Sequence, residues 1–127
     1  MAKRRSTKKR SASTSTLINR CIIVVRPKQP FADWANSFDD GGPKFDLEEQ
    51  RREAPNSYLV YDYTESDNLR FIIDFYWPTV FEYELNAWMR DPKTWPQTRT
   101  QEMFRQWFDI DFAPVVSDIV ADVPLEI

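Results

Sequence analysis

Asp109 and Asp111 stand two residues apart in the run Phe-Asp-Ile-Asp-Phe. A strand puts alternate residues on one face, so the two carboxylates point the same way. Joined by Asp62 from a neighbouring strand, they have the chemistry to hold Mg²⁺ or to form an acid–base pair. An ordinary solvent face alternates in the same way. Little else here can do covalent chemistry. The chain has no histidine and one cysteine, Cys21. That removes the usual general base near neutral pH and the Ser-His-Asp and Cys-His nucleophile systems, and it leaves too few ligands for a structural zinc site. The one glycine pair, Gly41-Gly42, follows Asp39-Asp40 and precedes Pro43, which is turn chemistry rather than a phosphate loop. No cofactor is implied.

A second constellation suits binding. Arg26 and Lys28 flank Pro27, and Pro30 opens the next helix. Two cations beside a helix N-terminus suit a phosphate or a partner's carboxylate. Trp34 and Trp95 are placed to wall such a pocket, with Arg99 beside them. This gives an anion- or partner-binding patch of Arg26, Lys28, Trp34, Trp95 and Arg99. With 20 acidic residues in the chain, ion pairing of these cations within the protein is the competing account.

The elements that must position these residues are legible from periodicity. Leu17 to Arg26 reads as a first strand. Its run Cys21-Ile-Ile-Val-Val is continuous and β-branched, as in a strand buried on both faces, and Cys21 reads as a small buried hydrophobe. Pro30 starts a short helix with the stripe Phe31, Trp34, Ala35, Phe38. Asp46 caps a polar helix that stops at Pro55, with Glu48 and Arg52 spaced as an ion pair. Ser57 to Tyr63 is a second strand, with Tyr58, Val60 and Asp62 on one side.

Ser66 or Asp67 then caps a longer helix. Leu69, Ile72, Ile73, Tyr76, Trp77 and Val80 form its apolar stripe, Arg70 and Asp74 pair outside it, and Pro78 kinks or divides it into 67–77 and 78–90. Residues 69–77 also alternate tolerably as a strand; helix is the favoured reading. Thr98 with Gln101 reads as a capping box for a helix bearing Met103, Phe104, Trp107 and Phe108. Asp109 to Val116 reads as a third strand, and an apolar tail runs to Ile127. The order predicts an α+β domain over 17–127: a small three-stranded sheet with helices packed on one face and at least one open edge.

Charge divides the chain. Residues 1–16 carry Lys3, Arg4, Arg5, Lys8, Lys9 and Arg10 and no acid, a disordered basic tail by composition. Residues 17–127 hold 11 basic and 20 acidic residues, a net of −9. The tail attracts nucleic acid non-specifically while the body repels it. The apolar stretch after the tail is interrupted by Asn19 and Arg20, too polar for a signal peptide, and no segment approaches a membrane span. With one cysteine, a reducing compartment such as the cytoplasm is expected.

Arg26-Pro-Lys-Gln-Pro-Phe with Trp34, Trp95-Pro with Arg99-Thr100 and Met103-Phe104, and Trp107-Phe108-Asp109 together resemble a family of small uncharacterised bacterial proteins. The resemblance covers about residues 17–118. It implies an intracellular α+β protein and no activity. The Trp77-Pro78 step departs from that family's uninterrupted acidic helix.

Three function classes follow. The first is a non-enzymatic protein-interaction module that binds a partner, or a second copy, through an aromatic surface or an open sheet edge. Its alternative is a nucleic-acid-associated protein held by the basic tail. The third is a carboxylate-based, metal-dependent enzyme.

Overall fold

Burial alternates along the first strand, β1 (Arg20–Pro27): Cys21, Ile23, Val25 and Pro27 are buried, and the residues between them are half-buried. The computed structural model describes residues 17–61 and 69–127. The basic residues Lys3 to Arg10, Asp62 and the expected cap at Ser66 or Asp67 lie outside the described residues. After β1 come α1 (Gln29–Ala35), α2 (Leu47–Glu53), β2 (Asn56–Tyr61), α3 (Leu69–Trp88), a 3₁₀ turn (Pro92–Thr94), α4 (Gln101–Trp107) and β3 (Phe108–Ala113). The strands form one antiparallel sheet in the order β2-β1-β3. This is the expected α+β class, with helix rather than strand at 69–77.

The expectation that β1 is buried on both faces is corrected. Its β-branched run fills the central position of the sheet, but the core lies on one side only. There Phe31, Ala32 and Ala35 of α1, five buried apolar residues of α3 and Phe104 of α4 meet Cys21, Ile23 and Val25. Phe81 of α3 is fully buried, and its ring contacts Phe104, Trp107 and Phe108 at 5.5–5.7 Å between centroids. The aromatic cluster of α4 is therefore core. Truncating Phe81 to Ala removes about 3–5 kcal/mol of packing.

Four local expectations change. Pro78 sits inside one continuous helix, α3, and does not divide it. Proline removes one backbone bond there, to the carbonyl of Asp74. Both residues are exposed, so water can take that acceptor. The cap of α4 is Thr100, not Thr98: its side chain accepts from the Met103 N–H at 3.1 Å. Arg99, just before the cap, lies outside the helix, and its guanidinium donates to the Pro96 carbonyl and to Glu82. Asp74 accepts from Gln101 at 2.7 Å rather than pairing with Arg70. Arg52 pairs with Glu53 rather than Glu48. Asp46 caps α2 as expected, accepting from the Glu49 N–H.

Candidate binding cleft around Glu84

The strand register puts Asn56 opposite Val25 and Tyr58 opposite Ile23, on the covered face of β2. Glu84 belongs to α3, four residues after Val80 and in phase with its apolar stripe, and it is 4% exposed. Tyr58 donates its hydroxyl to Glu84 Oε2, and Asn56 Nδ2 donates to the same oxygen at 2.8 Å. No hydrogen bond from a described residue reaches Oε1.

The electrostatics follow from this placement. Burial pushes the Glu84 carboxyl above its ordinary range, and the bonds from Tyr58 and Asn56 pull back against that. Burial also drives the Tyr58 phenol far above its usual value, reinforced by the neighbouring Glu84 charge and by the bond donated to it. Tyr58 is thus a neutral donor at any physiological pH. Glu84 is a buried acid held by two neutral groups, and among the described residues no cation is paired with it.

Glu84 lines a cavity of about 70 Å³ between α2, α3 and the end of the sheet, whose apolar walls include Val25, Pro27, Phe31, Phe45 and Trp88. The walls are fixed. Asn36 bonds Phe45 at both backbone atoms, at 2.7 and 3.1 Å. The Trp88 indole donates to the Ala35 carbonyl at 3.0 Å and meets Phe45 edge-on. Arg51 anchors α2 by donating to the Pro27 carbonyl at 2.8 Å. A wider hollow of about 330 Å³ shares Phe45, Gln50, Ala54 and Trp88 with this cavity and is rimmed by Lys44, Asp46, Glu49 and Glu53. Gln50, Asn56 and Glu84 supply the polar part of the lining, so apolar walls and a few convergent polar groups meet in one recess, as in a binding site.

The sequence-derived patch falls into two groups. Arg26, on the uncovered face of the sheet, is ion-paired with Asp111 of β3, and Lys28 Nζ lies 3.8 Å from Asp109. Arg51 also reaches Asp109, at 3.0 Å. Trp34, Trp95 and Arg99 gather around the 3₁₀ turn: Trp34 donates to the Thr94 carbonyl, Trp95 to Met89, and the Arg99 guanidinium lies 5.8 Å from the Trp95 ring centre. Arg99 is paired with Glu82 at 2.8 Å. Each of the three cations therefore already holds a carboxylate. So do Asp109 and Asp111 hold cations, which occupies the pair that the sequence offered for metal or acid–base work. Among the described residues no group of three His, Cys, Asp or Glu is placed to hold a metal ion.

Glu84 was not singled out by its sequence context. The signal existed: an acid in phase with Ile73, Val80 and Leu85 sits on the stripe that must be buried.

Among the described residues the core lies on one side of the sheet and leaves the other face uncovered. Ile22 and Val24 lie at its centre, with Leu59 beside Ile22 on one flank and Ala113 on the other. Leu59 and Tyr61 are about half exposed, at 50% and 49%. An antiparallel sheet with one solvated face ordinarily presents polar residues there. Among the described residues no helix is long and apolar enough to cross a membrane.

Comparison of the chain with protein-family models, with curated proteins and with solved structures returns no match.

Proposed function

We propose that this protein is a non-enzymatic protein-interaction module acting in the cytoplasm, and that its partner packs on the uncovered face of the sheet. The observation that supports this reading is the apolar patch on the side opposite the core, where half-exposed Leu59 and Tyr61 flank half-buried Ile22 and Val24. Exposed contiguous apolar surface marks an interaction site. Both flanking strands of a three-stranded sheet are edges, so a partner can also extend it by strand addition. The charged end of the same face, with Arg26, Asp109 and Asp111, supplies a polar rim.

The test is Leu59→Arg. The tagged full chain, isolated with and without nuclease, is expected to carry a stoichiometric protein or a second copy of itself. The variant is expected to lose it by at least tenfold, with its melting temperature unchanged. Material lost on nuclease treatment instead transfers the function to the basic residues Lys3 to Arg10 and nucleic acid. Equal capture by the variant removes the sheet face from the reading.

A further inference from the structure

The cleft that ends on Glu84 lies on the core side of the sheet, away from the proposed partner face, and neither the fold nor the interaction reading uses it. Three of its features point to one ligand chemistry. The first is the carboxylate: 4% exposed, engaged on Oε2 by two neutral donors, and open to a further donor on Oε1. A buried carboxylate without a counter-charge is costly, and a cation delivered to it relieves that cost. The second is the wall. Phe31, Phe45 and Trp88 present aromatic surface, which favours a methylene chain and a cation together. The third is the rim, where Glu53 is paired with Arg52 and Asp46 and Glu49 still outnumber Lys44, favouring the approach of positive charge.

Size narrows the ligand. A cavity of about 70 Å³ holds roughly five water-sized groups. An unbranched four-carbon chain with a terminal nitrogen fills it. A planar guanidinium is wider and requires a forked partner with both carboxylate oxygens available, and Oε2 is already taken twice.

We infer that the cleft between α2, β2 and α3 binds a primary alkylammonium group, its carbon chain lying against Phe45 and Trp88 and its nitrogen donating to Glu84 Oε1. A lysine side chain and a free aliphatic amine carry the same group.

The test titrates the full chain with n-butylammonium, following the Trp88 indole N–H by NMR and assigning that signal with Trp88→Phe. Neutral n-butanol, of the same length, is the control. Saturable binding of n-butylammonium at least tenfold tighter than n-butanol is expected, with its loss in Glu84→Gln. Thermal melting of that variant shows whether it is folded. Should Glu84→Gln not fold, Ala87→Leu supplies the second variant, filling the cavity from its wall while keeping the carboxylate, and it too is expected to lose binding. Equal binding of butanol, undiminished binding in both variants, or no saturable shift up to tens of millimolar overturns the inference. Nα-acetyl-lysine N-methylamide and spermidine then separate the sources. Binding of the capped lysine at least as tight as butylammonium assigns the site to a protein lysine, and its exclusion with retained spermidine binding assigns it to free amines. Because Leu59→Arg leaves the cleft intact and Glu84→Gln leaves the sheet face intact, either reading fails without the other.

Discussion

Glu84 and Asp109 are both carboxylates beside the sheet, and their surroundings are opposite. Asp109 is half exposed and sits between two cations, Lys28 and Arg51. Glu84 is almost fully enclosed and holds two neutral donors. Charge complementarity is complete where it matters least, because exposed ion pairs contribute only about 0–1 kcal/mol each. It is missing where the surrounding medium makes charge most consequential. A structural carboxylate gains little from such a position, whereas a binding group needs one coordination direction left open.

Three experiments sharpen this contrast, from the largest effect to the smallest. Tyr58→Phe removes a hydrogen bond to a buried acid, and a loss of about 2 kcal/mol is expected at pH 8. The loss should be smaller at pH 4, where a protonated Glu84 depends less on an incoming donor. Urea unfolding at the two pH values measures both. Equal losses would mean that the bond does not serve the anion.

Glu84→Gln addresses the charge itself. The folded protein binds the Glu84 proton more tightly than the unfolded chain does, so Glu84 subtracts stability as pH rises above its ordinary value of about 4.5, until the raised folded value has been passed. Gln keeps an acceptor for Tyr58 and Asn56 and cannot ionise. The variant is expected to be more stable than the parent at pH 7, with the two curves converging near pH 4. A parent curve that rises through this window, relative to the variant, would reverse the assignment.

Asp109→Asn completes the series at the surface. A loss below about 1 kcal/mol is expected, shrinking further in 0.5 M salt because exposed pairs are screened. A larger, salt-insensitive loss would make the surface cluster structural and erase the contrast.

The organisation of the chain was largely legible because the signals that set it are local. Asp46 caps α2 because an aspartate before a polar helix can reach its N3 N–H whatever the rest of the chain does. The stripe from Leu69 to Val80 favours a helix, although residues 69–77 also alternate tolerably as a strand and Pro78 argues for a break. The continuous run in β1 misled for a physical reason. β-branched residues suit the central strand of any sheet, and only the helices' actual placement shows which face they cover.

The candidate sites were less legible. The sequence places Arg26, Lys28 and Arg99 near aromatics, but whether a cation is available depends on which acids stand opposite it. Asp109 and Asp111 meet Arg26 and Lys28 through the β1–β3 register, more than 80 positions along the chain for the Arg26–Asp111 pair. Glu84 shows the same limit from the other side. Its phase on α3 marks a buried acid, but its partners Asn56 and Tyr58 come from a strand 26–28 positions earlier.

The sequence by itself determined the elements, their order, the α+β class and the division of charge between residues 1–16 and the rest, because propensity, capping and periodicity act within a few residues. The tertiary structure alone decided which carboxylates are neutralised and which is left buried with an open oxygen. It also decided which side of β1 remains uncovered. Electrostatic pairing and burial depend on distance through space, and chain packing sets those distances.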